Sequence, residues 1–207
     1  MKIQHVTPEL HFSGSVAIVG SSGNLIDSNF GEFIDSHDEV IRFNRSPTKN
    51  YSTDVGSKTT LRVVNNHVFN NNDITNEGYS NSPPNFVRDL RENNILYVGP
   101  DLGPWHNRNT NCHESNNLFL FDYSSIQSLK NTFKYYEDKN FQVGTISILL
   151  CIISGIKPNL FGFDLEPVAR THYYEDRPSV GSAYHNISKE QQLIIALNQQ
   201  GFLRVCK

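Results

Sequence analysis

The eight histidines of this chain, among them His172 in the run His172-Tyr173-Tyr174-Glu175 and His185 five residues before Glu190, are its side chains best suited to move a proton near neutral pH. An imidazole with a pKa of about 6.5 is partly neutral there, so it can accept a proton from a hydroxyl; once charged, it can steady a phosphate. A second chemistry is offered by Gly20-Ser21-Ser22-Gly23-Asn24-Leu25, a small-residue turn directly after the apolar run Val16-Ala17-Ile18-Val19. Small residues between a strand and a helix let backbone N–H groups approach an anion. The turn is neither G-x-G-x-x-G nor G-x-x-x-x-G-K-[ST], so neither a dinucleotide fingerprint nor a P-loop is written here. His106, Cys112 and His113 can be drawn as a zinc set, but their spacing is unlike a known site and their loop is polar, so no metal is expected there.

These groups need elements to hold them. Val16–Val19 reads as a buried strand entering the glycine turn, 24–34 as a helix, 39–43 and 61–64 as strands, 85–92 as a helix and 95–98 as a strand. Residues 145–154 are apolar almost all round and predict a buried helix stopped by Gly155, after which Leu160-Phe161-Gly162-Phe163 is a strand end. A last helix is predicted from an N-cap at Ser188, with Gln191 as its capping-box partner and Leu193, Ile194 and Leu197 on its apolar face. Strands alternating with helices predict one domain over 1–207, a Rossmann-like α/β/α sandwich with a mostly parallel sheet. Ligands of such sheets bind beyond the carboxyl ends of the strands. Two polar, Asn-rich stretches, 65–84 and 103–117, read as surface loops, the second carrying the only tryptophan, Trp105.

Composition narrows the function. Of 207 residues 37% are hydrophobic, enough for a core, and the net charge of −3 offers no basic field for nucleic acid or an anionic membrane. The longest apolar run, 148–153, is far short of the roughly 20 residues of a spanning helix, and no apolar signal core is seen at the N-terminus. Three cysteines, Cys112, Cys151 and Cys206, show no C-x-x-C spacing and are expected to be free thiols in a reducing compartment. A cytoplasmic protein is the expectation, with peripheral membrane association left open.

Residues 16–60, VAIVGSSGNLIDSNFGEFIDSHDEVIRFNRSPTKNYSTDVGSKTT, resemble the large sialylmotif of the animal-type sialyltransferases, glycosyltransferase family 29. Residues 142–164 (QVGTISILLCIISGIKPNLFGFD) are similar to the small sialylmotif, His172-Tyr173-Tyr174-Glu175 to motif III, and His185 with Glu190 to the H-x4-E of the very small motif. The cysteines that the family pairs between its large and small motifs are replaced here by Val16 and Gly155. Their joint absence suits a chain folding in a reducing cytosol, a bacterial, viral or algal type of relative.

The resemblance implies a sialyltransferase-type variant of the GT-A fold. It also implies an inverting enzyme that moves an acidic sugar from CMP to an acceptor hydroxyl without metal, an oligosaccharide or glycolipid being the acceptor. Asp164-Leu165-Glu166, which superficially resembles a manganese-binding D-x-D, is accordingly not expected to hold a cation, since a CMP-sugar carries one phosphate. His185 is implied as the base and His172 as the partner of the donor phosphate. Ser21, Ser22, Asn44, Asn65, Gly144, Thr145 and Gly162 are implied as donor-binding, with Asn24, Glu175 and Glu190 in support. Glu190 is expected to interact with the start of its own helix, and Asp35, His37 and Asp38 to serve turns and caps. Sialic acid is the expected sugar and Kdo, an eight-carbon relative also carried by CMP, its alternative. A non-catalytic CMP- or glycan-binding module and a purely structural α/β domain are the other readings; both leave the histidine pair without a task. Residues 176–183, between the histidines, are expected to close over bound donor as a lid.

Overall fold

The computed structural model describes residues 3–5, 12–69, 94–99, 117–165, 172–174 and 185–207. In chain order its elements are β1 (Ile3–His5), β2 (Val16–Val19), α1 (Gly31–Asp35), β3 (Glu39–Phe43), α2 (Ser52–Val55), β4 (Leu61–Asn65), α3 (Asn66–Phe69), β5 (Asn94–Val98), β6 (Asn117–Phe121), α4 (Tyr123–Thr132), α5 (Val143–Ile153), β7 (Asn159–Phe161), α6 (Ile187–Gln199) and β8 (Arg204–Cys206).

The strands form one sheet in the order β1-β6-β5-β4-β3-β2-β7-β8, and every neighbouring pair is parallel. A parallel sheet is covered on both faces, which is why β2 reads Val-Ala-Ile-Val without polar interruption and is buried at all four positions. Val16, Ile18, Ile41, Phe43, Leu61, Val63, Leu96 and Val98 pack on one face with Ile126 and Leu129 of α4, Ile146, Leu149 and Leu150 of α5, and Ile194 and Leu197 of α6. Ala17, Val19 and Val40 face the other way, against Ile34 of α1 and Val55 of α2, and Val64, Ile95 and Tyr97 pack with Val68 and Phe69 of α3. The expected α/β/α sandwich is therefore present, wholly rather than mostly parallel among the described strands.

Strand β2 is where the strand order reverses: β3 and then β4 step off on one side and β7 and β8 on the other. In such a sheet the crevice beyond the carboxyl ends of the strands at the reversal is the default ligand site.

Two expected helices differ. The stretch 24–34 does not form one helix: a 3-10 turn over Gly23–Leu25 is separated from α1 by Asp27 (φ 62°) and Asn29 (φ 56°). Left-handed backbone is tolerated by Asp and Asn and ends a right-handed helix; the segment is pinned to α2 where Asn29 N–H donates to the Asp54 carboxylate (3.0 Å). The cap of α6 is Asn186, whose side chain accepts from Lys189 N–H, not Ser188, and Gln191 turns away to another task. The buried helix stands as expected, as α5, ended by Gly155 at φ 76°. The predicted helix 85–92 lies outside the described residues, as do 70–84 and 103–116 of the two Asn-rich stretches, while Asn65 and 66–69 belong to β4 and α3. Among the described residues no helix is long and apolar enough to cross a membrane. Cys151 is buried and Cys206 half-buried, both free; burial alone raises the Cys151 thiol pKa far above its ordinary range.

Candidate active site at the carboxyl edge of the sheet

Gly20 and Gly162 meet where β2 and β7 end. A Cβ on Gly20 would stand 2.2 Å from the Gly162 carbonyl oxygen, and Gly162 itself, at φ 66°, has Leu25 where its own Cβ would be. The two chains are close enough for Gly20 N–H to donate to Phe161 O (2.7 Å) and Ser22 N–H to Gly162 O (3.3 Å). Ser22 is buried; its Oγ accepts from Asn24 N–H (3.0 Å) and donates to the Asp164 carboxylate, which also accepts from Asn24 Nδ2 (3.1 Å). Burial pushes the Asp164 carboxyl up, against the Ser22 donation and the nearby charge of His172, both of which pull it down. One carboxylate thus organises the glycine turn.

His172 is brought to this turn by its neighbours. Tyr173 N–H donates to Ser21 O (2.9 Å), and the buried Tyr173 ring carries its hydroxyl to Pro47 O (2.5 Å). That ring lies edge-on to Tyr51 and Tyr174, and His172 stacks on Tyr174 with centroids 5.1 Å apart and planes 3° from parallel. Burial pushes the Tyr173 hydroxyl up to about 12, so it stays a neutral donor.

Asn44 and Asn65 end β3 and β4. Asn44 sits at φ 43°, a conformation Asn tolerates, and its Oδ1 accepts from Asn65 N–H (3.0 Å). Asn65 Oδ1 in turn accepts from Val68 N–H (2.9 Å) and starts α3. Beneath them the buried Arg62 donates to the carbonyls of Asn44 (3.4 Å) and Ser46 (3.0 Å), fixing the turn after β3.

Helix α5 points its first turn at the same edge. A Cβ on Gly144 would come within 3.2 Å of Phe163, beside Phe43, and those two rings lie edge to face at 6.3 Å. Phe43 precedes Asn44 and Phe163 precedes Asp164, so the ends of β3, β7 and α5 converge on one apolar floor. The N–H groups of Gly144 and Thr145 belong to the first turn of α5, where no intrahelical acceptor exists, the first such bond being Ile146 N–H to Gln142 O.

Helix α6 is joined to both. Gln191 Nε2 donates to Asp164 O (2.7 Å), and the Glu190 carboxylate accepts from Gln142 N–H (2.8 Å) at the start of α5. His185, just ahead of α6, directs Nδ1 at the Asn140 carbonyl (2.9 Å). A carbonyl can only accept, so Nδ1 carries the hydrogen and Nε2 the lone pair of the neutral ring.

Glu190 therefore corrects its expected role. Rather than serving the start of its own helix, it crosses to α5. It is 1% exposed, and its second carboxylate oxygen has no hydrogen-bond partner. Burial pushes its pKa up to about 7, while the Thr145 hydroxyl and Gln142 N–H pull down. Ser21 reaches its surroundings through its carbonyl, and Ser22 and Thr145 have their hydroxyls engaged with carboxylates. Asp35, His37 and Asp38 do serve turns: Asp35 accepts from Ser57 and Lys58 N–H, Asp38 from Ser15 N–H, and His37 bridges Phe33 O and Asn159. Glu175, Glu166, Trp105, His106, Cys112, His113 and 176–183 lie outside the described residues. Among the described residues no three His, Cys, Asp or Glu side chains gather to hold a metal ion. The tie of Asp164 to Ser22, the carbonyl of Asn140 and the docking of Gln191 leave no mark in the sequence, because their partners are far away in it or are backbone atoms.

The family described as "Glycosyltransferase family 29 (sialyltransferase)" matches residues 9–94. Beta-galactoside alpha-2,6-sialyltransferase 2 of Xenopus tropicalis is 29% identical over 214 residues, covering 91% of this chain and 40% of that protein. Its counterpart in Bos taurus is 51% identical over 89 residues, 43% of this chain and 16% of that one. Beta-galactoside alpha-2,6-sialyltransferase 1 of Homo sapiens is 28% identical over 207 residues, 90% of this chain and 50% of its own. The chain thus spans at most about half the length of these curated relatives. The crystal structure of a mammalian sialyltransferase shares the fold with a TM-score of 0.67 at 23% identity, covering 94% of this chain and 69% of that one. The same kind of enzyme in complex with Gal-beta-1-3GalNAc-ortho-nitrophenol gives 0.65 at 23%.

Proposed function

Because the chain belongs to glycosyltransferase family 29, we propose that it transfers sialic acid, with inversion, from a CMP donor to a hydroxyl of a glycan, using His185 as base. The observation that supports this most is Asp164: its side chain ties Ser22 and Asn24 of the glycine turn, its charge couples to His172, and its carbonyl receives Gln191 of α6, the helix that His185 precedes. One residue thereby links the elements that bear both histidines.

In this reading Nε2 of His185 takes the acceptor hydroxyl proton as the oxygen attacks the anomeric carbon and the bond to the CMP phosphate breaks on the opposite face. His172 stabilises the charge left on that phosphate, and the first-turn N–H groups of α5 and the Asn44 amide line the donor site. No metal is needed in this scheme, a single phosphate being met by these donors. The printed names of the relatives make a β-galactoside the first acceptor class to try. A cytoplasmic site is proposed on the reducing character of the chain, free thiols at Cys151 and Cys206 with Val16 and Gly155 in place of the family's paired cysteines.

The test is CMP release from CMP-sialic acid and, in parallel, CMP-Kdo, with a β-galactoside and without added metal. Release from CMP-sialic acid, lost by about 10²–10⁴-fold in His185→Ala, is expected. Turnover of CMP-Kdo alone overturns the sugar, and an unaffected His185→Ala overturns the base.

A further inference from the structure

We propose that Glu137 and Lys130, which lie in none of the motifs, are positioning residues for His185, acting through a clamp on residues 185 and 186; the proposal rests on His185 being the base. The stretch 135–142, between α4 and α5, is closed on itself. Tyr135 N–H donates to Lys130 O (2.8 Å), and the rings of Tyr135 and Phe141, at its two ends, lie 4.3 Å apart. Into this loop reaches the ammonium of Lys130, 5% exposed, donating to the carbonyls of Glu137 and of Lys139 (3.3 Å for the second). A buried ammonium is tolerated where carbonyls satisfy it, and here those carbonyls belong to the loop it braces.

The braced loop then offers two acceptors to one place. Asn140 O receives His185 Nδ1 (2.9 Å), and the Glu137 carboxylate receives Asn186 Nδ2 (2.8 Å). The first bond selects the tautomer and the ring direction. The second holds the adjoining residue, whose Oδ1 also accepts from Lys189 N–H (3.4 Å) as the cap of α6. Ring orientation and helix direction are thus set by one device. Since a displacement of about 1 Å at a reacting group can cost on the order of 10²-fold in rate, a clamp of this kind should be visible in turnover more than in donor affinity.

The experiment compares Glu137→Ala, Glu137→Gln and Asn186→Ser in the full chain, reading kcat and KM for the CMP donor and the 15N shifts of the His185 imidazole. Glu137→Ala is expected to lower kcat about tenfold with the donor KM changed less than about twofold, and to convert a pure Nδ1–H ring into a mixture of tautomers. Glu137→Gln recovers most of the loss because its amide oxygen still accepts from Asn186. Asn186→Ser keeps a capping oxygen but removes the amide donor, so it reproduces the Glu137→Ala loss, and the double variant is no worse than either alone. That pair decides the matter if Glu137→Ala folds poorly. Native kcat and an unchanged tautomer in both single variants overturn the proposal. If His185→Ala retains activity, the base assignment fails separately, and the tautomer spectra alone then decide whether Glu137 orients the ring.

Discussion

His172 and His185 are held in different ways. Around His172 the fixing contacts come from side chains and close backbone approach: Gly20 against Gly162, Ser22 and Asn24 on Asp164, Tyr173 wedged between Tyr51 and Tyr174. Around His185 they come from the Asn140 carbonyl and, through the adjoining Asn186, from the Glu137 carboxylate, both on a loop that Lys130 braces. The first region is specified by residue identity within the turn itself, the second by a backbone carbonyl and by side chains of a loop far from it in sequence. Substitution should therefore be punished locally and sterically at the glycine turn, and through ring orientation at His185.

The largest effect should come at the glycine contact. Gly20→Ala places a methyl 2.2 Å from a backbone oxygen that cannot swing aside and should cost on the order of 3 kcal/mol in chemical denaturation. Gly155→Ala meets nothing within 4 Å and bears only its positive φ, about 1 kcal/mol; equal losses would break the contrast.

Next is the pH dependence of Glu190. Its folded pKa, about 7, lies above the ordinary 4.5, so between these values the folded chain binds more protons than the unfolded one. The contribution of Glu190 to stability should be greatest below about pH 4.5, fall as pH rises towards 7 and level off above it, by on the order of 3 kcal/mol. Glu190→Gln, neutral throughout and still able to accept Gln142 N–H, should flatten that slope in urea titrations at pH 5 and 7.5. An unchanged slope would assign it to other groups.

Asp164→Asn keeps the size of the side chain and an oxygen for Ser22 and Asn24 but removes the negative charge that they and His172 meet. CMP affinity by calorimetry should fall about tenfold, roughly 1.4 kcal/mol, and an unaffected affinity would detach the donor turn from Asp164. Smallest is Tyr173→Phe, which removes the bond to Pro47 O while keeping the ring contacts; about 1 kcal/mol is expected in Tm-derived stability, with no change sinking the wedge.

Legibility follows the same divide. The unbroken apolar run at β2 and the nearly all-apolar surface of α5 mark buried elements because parallel strands and central helices have no wet face. The turn Gly20–Leu25, with Ser22 and Asn24, is legible because a tight turn demands small or capping residues, whereas Gly162 is named by the resemblance alone. The break in 24–34 is not legible because Asp27 and Asn29 enter helices and left-handed turns alike, and contact with Asp54 decides between them. The partner of Glu190 is hidden because nothing in its local sequence shows that Gln142, far earlier in the chain, lies across from it. Asn140 acts through its carbonyl, which every residue has, so no side-chain motif can mark it.

The pairing of β2 with β7 has a consequence for how the protein is made. β2 finds β3 soon after synthesis, with Val16 opposite Glu39, but its other edge must wait for Asn159–Phe161, and Ser22 for Asp164, 142 residues on. Folding that depends on such distant partners is slow, and until β7 arrives β2 presents an open apolar edge that invites wrong pairing. The glycine turn, tied to Asp164, is thus among the later features the chain can complete. The early strands can associate first, but binding of CMP should report arrival of the final third of the chain rather than collapse of the first.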